Sequence, residues 1–158
     1  YSHDRSPAGF PMDPAKWTVE VTNSNDCTKT TTVNGTWYGD TGLSSTGPSI
    51  TIPIGSWRVY YECIGKYSVT SVGGLSVFVS LSTSASSESD TGFTTMSQHS
   101  PGNNLLVTPL RREKTVTLAS STVYYLVTKT QNSGSGSSLS IYGSSGATTV
   151  IRAICAYL

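Results

Sequence analysis

Arg58, Glu62 and Arg152 are the residues of this sequence best placed to do chemistry. Each stands on a run that alternates with period two, on the face opposite the apolar one. Arginine's planar fork suits carboxylate or phosphate, held bidentately and partly buried. Arg58 and Glu62 share one run with Tyr60, and Glu62 is the only acid on that run. Arg152 lies with Ile154 on the outer side of the final run. If symmetry brought copies of Arg152 together, their like charges would need an answering carboxylate, with Glu62 one candidate, or a bound small anion. Alternatively, Arg152 snorkels to the rim and meets water. The small anion would be adventitious and structural, and no other cofactor is expected.

Catalytic chemistry is poorly provided for. The two histidines, His3 and His99, lie in unpatterned Pro/Gly/Ser-rich surroundings. No nucleophile elbow, zinc-protease or phosphate-loop motif occurs. Glu62 has no evident second carboxylate with which to hydrolyse a sugar. The sequence therefore predicts neither a catalytic site nor a metal site. Cys27, Cys63 and Cys155 have no metal-ligand spacing. They read as buried thiols of a chain assembled in a reducing cytoplasm, or as a Cys27–Cys63 bridge with one thiol left over. Trp37-Tyr38 and Tyr124-Tyr125 offer aromatic platforms for a receptor or sugar, or packing for a core or interface. The cluster Arg111-Arg112-Glu113-Lys114 reads as a solvated loop end before a strand, or as a patch for polyanions.

The elements that must position these residues are strands. Only 12% of the 158 residues are charged, and serine and threonine make up roughly a third. A net charge of +1 gives no basic field for nucleic acid. No apolar run is long enough to span a membrane, and no signal segment opens the sequence. Residues 1–14, with Pro7, Pro11 and Pro14, read as an extended lead-in, and residues 15–158 as one domain. Within it, Trp17 to Thr22, Ile50 to Ile54, Trp57 to Ile64, Leu75 to Ser82, Thr115 to Leu118, Val123 to Val127 and Leu139 to Tyr142 alternate. Asn34-Gly35 predicts a hairpin between Thr30–Val33 and Thr36–Tyr38. Ser84 to Asn104 and Gln131 to Ser138 read as long loops. The sum is an all-β sandwich or barrel of about 8–10 short antiparallel strands.

The final run, Thr148 to Leu158, is apolar on both faces apart from Arg152. Such a strand wants cover on both sides. One face, with Ile151, Ala153, Cys155 and Tyr157, is expected to pack inside the subunit or against a copy of the chain, and the face with Ile154 does the converse. The expected assembly is a homo-oligomer.

Ile52 to Tyr61 resembles the apolar-Pro-x-Gly-x-aromatic strand of tumour-necrosis-factor-like and complement-head-like jelly rolls. Val116 to Val127 looks like the paired strands of tail-fibre and tail-needle tips of tailed bacteriophages, and Ile141 to Ala153 is similar to their closing hairpin. The resemblance covers Ile50 to Leu158. It implies a jelly-roll homotrimer, assembled in the host cytoplasm and carried on the distal tail of the virion. Such a non-enzymatic knob contacts a bacterial surface component, lipopolysaccharide or an outer-membrane protein, through loops and inter-subunit grooves. On this reading Arg58, Tyr60, Glu62, Arg152, Ile154 and Tyr157 lie at the subunit interface, and Trp37 and Tyr38 are candidate receptor contacts. The alternatives are a carbohydrate-binding module of a phage tailspike depolymerase and a capsid-decorating structural protein.

Overall fold

Alternating apolar and polar residues bury one side of an extended chain, and such runs pair into sheets. A computed structural model of the protein describes residues 17–40, 42–69, 74–99, 105–132, 137–143 and 147–156. The lead-in, His3, Tyr157 and residues 133–136 lie outside the described residues. Eleven strands are described: β1 (Thr18–Asn23), β2 (Cys27–Lys29), β3 (Trp37–Tyr38), β4 (Ser49–Ile52), β5 (Gly55–Val69), β6 (Leu75–Ser82), β7 (Thr95–His99), β8 (Leu105–Leu118), β9 (Thr122–Asn132), β10 (Ser137–Ile141) and β11 (Thr149–Cys155). They make two antiparallel sheets sharing one core, as in a β-sandwich.

In the first sheet the order is β1-β11-β5-β10-β2, and β8 pairs with the other edge of β5. β11 lies against Trp57–Glu62 and β10 against Gly65–Val69, so the two share one edge of β5. The second sheet runs β3-β9-β6-β7, with β4 also on β9. Four of the pairs are nested in sequence, β1 with β11, β4 with β9, β5 with β8, and β6 with β7, while β5–β11 and β6–β9 join them within each sheet. Between β4 and β5 the chain crosses from one sheet to the other through Pro53 and Ile54. Gly55 makes that crossing with φ +129°, a conformation that L side chains rarely adopt.

Two strands are longer than the expected short ones. β5 has 15 residues and β8 has 14, where strands usually run about 3–10. Every residue from Gly55 to Ser68 finds a partner on β8, and this ladder carries β5 past Ile64 and through Gly65. β8 begins at Leu105 and includes Pro109, which is tolerated because among the described residues β8 pairs on one side only, with β5. The basic cluster is therefore inside a strand and not at a loop end. Arg112 and Lys114 turn toward the 3-10 turn Thr91–Phe93, where Arg112 Nε donates to the Gly92 carbonyl at 3.1 Å. Lys114 Nζ lies 2.5 Å from Asp90 Oδ2, and this hydrogen bond holds the Asp90 carboxyl below its ordinary range. The long loop expected over Ser84 to Asn104 contains that turn and β7.

The Asn34-Gly35 hairpin is corrected as well. The turn forms, with Gly35 at φ +78° and Thr36 N–H donating to the Val33 carbonyl. Its flanks do not pair, because β3 pairs with β9 and Gly35 N–H donates to the Thr130 carbonyl. Tertiary pairing has taken the backbone groups that the local hairpin would have used.

The core lies between the sheets. The inner face of β5 carries Trp57, Val59, Tyr61 and Cys63, as its alternation predicts, and continues with Tyr67 and Val69. Opposite stand Val77, Val79, Leu81, Tyr124 and Leu126, with Phe93 packed among them. Tyr61 Oη sits 2.9 Å from the carbonyl oxygens of both Val79 and Phe93 and ties β5 to the second sheet. Cys27, Cys63 and Cys155 are thiols, without a Cys27–Cys63 bridge. Titrating the denatured, non-reduced protein with a thiol reagent is expected to count three per chain, and a count of one would contradict the structure.

Candidate functional site

Register brings the charged residues of the sequence reading onto one outer face of the first sheet. Three cross-strand rows run over β1, β11, β5 and β8: Thr18–Ile154–Arg58–Thr115, Glu20–Arg152–Tyr60–Glu113 and Thr22–Val150–Glu62–Arg111. Tyr60 occupies the middle. The guanidinium of Arg111 lies 5.5 Å from its ring centroid and that of Arg152 lies 5.7 Å away, both within cation–π range.

Each guanidinium of this grid meets a carboxylate from the same chain. Nε and Nη2 of Arg152 both reach Oε2 of Glu20, and that hydrogen bond raises the Arg152 pKa further. Arg111 Nη1 lies 3.1 Å from Glu62 Oε1, and Arg58 Nε lies 3.7 Å from Glu113 Oε1. Glu62 thus pairs with Arg111, a residue outside the expected set; it makes no ion pair with Arg58 or Arg152, though its charge adds to that of Glu20 in raising the Arg152 pKa. Three acids and three bases leave the patch formally neutral. The pairs are exposed enough that each contributes about 0–1 kcal/mol, so their value is arrangement more than stability.

Apolar groups lie among the charges. Val150, Ile154 and Tyr60 are half-buried, and the face continues past Ile64 to the exposed Val107 and Leu105. A cavity of about 450 Å³ opens at the Glu62–Arg111 end, and one of about 320 Å³ beside Arg58, Thr115 and Ile154 at the other. Glu20, Arg111 and Glu113 are the members that the sequence reading missed. The alternation around Glu20 was visible, but Arg111 and Glu113 read as a loop end, and which strands stood beside β5 was not legible.

The expected aromatic pair separates. Tyr38 is 8% exposed, with its hydroxyl accepting from the Val33 N–H at 2.8 Å, so it is a packing residue and no receptor platform. Trp37 faces outward on the second sheet in the row Trp37–Lys129–Phe78–Met96. Lys129 Nζ stands 4.7 Å from the ring centroids of both Trp37 and Phe78. Among the described residues no group of three or more His, Cys, Asp or Glu side chains could hold a metal ion.

No protein-family model and no curated protein matches this sequence. Among solved structures, the chain is similar to the VP2 subviral particle of infectious bursal disease virus, with a TM-score of 0.34 and 15% identity. The similarity covers 87% of this chain and 36% of that one, so the chain spans about a third of its length.

Proposed function

We propose that this chain is a non-enzymatic, homotrimeric jelly-roll knob at the distal end of a bacteriophage tail needle or fibre. It meets lipopolysaccharide or an outer-membrane protein during attachment or penetration. It is assembled in the host cytoplasm and works on the virion. The nested pairing of β1, β4, β5 and β6 with β11, β9, β8 and β7 supports the jelly-roll part, since it is the order made by rolling up one long hairpin.

The observation that carries the assembly is the outer face of the first sheet. Burying a charge is costly unless it is paired. Here every guanidinium of the grid is already paired within the subunit, around the half-buried Val150, Ile154 and Tyr60. Another copy can cover these three rows without stranding a charge. A trimer then turns weak single-site contacts into avidity.

Light scattering on the intact protein is expected to give three times the chain mass. Ile154→Asp should give the monomer mass with an unchanged circular dichroism spectrum, because it removes an apolar side chain from the covered face and leaves Arg58 between two carboxylates, one uncompensated negative charge in each subunit. A trimer that survives the substitution would move the interface elsewhere. A wild-type monomer would overturn the knob and favour a carbohydrate-binding module, for which the outward Trp37 ring is the supporting observation.

A further inference from the structure

We propose that the outer face of the second sheet binds an acidic saccharide, its carboxylate on Lys129 and a sugar ring against Trp37. The inference deepens the reading of this chain as a surface-recognition knob and rests on it. Register aligns Trp37, Lys129, Phe78 and Met96 on four adjacent strands. Strands lie about 4.8 Å apart, so the row is roughly 14 Å long, room for two or three sugar units.

The Lys129 ammonium sits between two rings, 4.7 Å from each centroid. An ammonium has three donors, and two rings leave one for a ligand. Lodging between rings also fixes a flexible side chain in advance, which removes an ordering cost from binding. Charge points to the occupant. Arg58, Arg111, Lys114 and Arg152 each face a carboxylate of the chain. Among the described residues no carboxylate pairs with Lys129, Lys29, Lys66 or Arg112, and of these four only Lys129 lies against two outward aromatic rings, which makes it the cation fitted to hold an anion from outside.

The next row supplies what a sugar's hydroxyls need. Gln98, Ser76 and Gln131 stand side by side, two residues along from Met96, Phe78 and Lys129. That is a step of about 7 Å. Gln98 and Gln131 are exposed, and amides both donate and accept. Met96 at 53% exposure and the half-buried Trp37 and Phe78 give the apolar ground for a pyranose face. A single cation in this row is too few for a nucleic-acid backbone, which is held through many phosphate contacts.

The test uses the intact protein and two ligand pairs: trigalacturonate against its methyl ester, and sialyllactose against lactose. Titrations are read by calorimetry and tryptophan fluorescence. At least one acidic sugar is expected to bind at least tenfold more tightly than its neutral counterpart. Lys129→Gln should weaken that binding at least tenfold, and Lys66→Gln, on the other sheet, should leave it unchanged. Trp37→Phe, which keeps a ring, should weaken it less than Trp37→Ala. Equal binding of both members of each pair, indifference to Lys129→Gln, or full competition by inorganic phosphate at matched ionic strength would each overturn the site. Adsorption to bacterial cells, measured in parallel, separates the two readings. Acidic-sugar binding without adsorption keeps this site and removes the knob, while adsorption without such binding does the reverse.

Discussion

A chain ended at Ala147 is expected to lose cooperative folding altogether. The missing residues include β11, which pairs through six residues with β5 and through six with β1. Among the described residues β1 has no other neighbour in its sheet, so its six residues would lose their ladder partners along with it. The deletion also removes Ile151 and Ala153, both 0% exposed. It takes the support from Val19 and Val21, which pack on the same core. Burial of one isoleucine contributes about 1.5–3 kcal/mol, and each buried backbone group left without a partner costs about 1–3 kcal/mol. A domain holds only about 5–15 kcal/mol in total, so the sum of these losses exceeds the reserve. Circular dichroism under increasing denaturant should show a gradual change without a sigmoidal transition. A sharp transition in the shortened chain would mean that β11 is an accessory strand. Ala153→Asp is the point version, placing a carboxylate in a fully buried position at a cost of several kcal/mol.

Alternation alone made the core faces legible. Val19 and Val21 on β1, Trp57 to Cys63 on β5, and Val77 to Leu81 on β6 all lie on the side that period two assigns to them. The partners of the arginines were not legible. Glu20 and Arg152 are 132 residues apart in sequence, and only the β1–β11 register makes them neighbours. The same holds for Lys129, whose neighbours Trp37 and Phe78 are supplied only by the pairing of β3 and β6 with β9. Half of β8 was hidden for a different reason. Pro109 and the run Arg111 to Lys114 look like loop chemistry. Yet among the described residues the strand is paired on one side only, and there a proline and charged side chains are tolerated and discourage pairing with foreign strands. At Asn34-Gly35 the local signal did give the turn, and the ladder was lost to β9.

Raising the pH above about 9 is expected to destabilise the fold steeply, through Cys63 first and Tyr61 next. Burial pushes the Cys63 thiol up from 9.0 to about 12. The folded thiol therefore keeps its proton where the unfolded one has lost it. The unfolded state binds fewer protons in this window, so stability falls as pH rises. The contribution is present in full below pH 9 and is lost progressively toward pH 12, at about 1.4 kcal/mol for each unit. Tyr61 acts in the same direction from about pH 10. Its buried phenol is desolvated and lies near Cys63, both of which raise its pKa. Denaturant midpoints taken at pH 7, 9 and 10.5 under reducing conditions measure the slope. Cys63→Ala leaves a small cavity and lowers stability at every pH, so the comparison is between slopes and not between absolute values. The variant should be flatter than wild type between pH 9 and 10.5. Tyr61→Phe should flatten the curve only above pH 10, while losing the hydroxyl that bridges Val79 and Phe93 at all pH values. Identical slopes for wild type and Cys63→Ala would mean that water reaches the thiol in the folded state, and that the two sheets close less tightly over β5 than the 4% exposure of Cys63 requires.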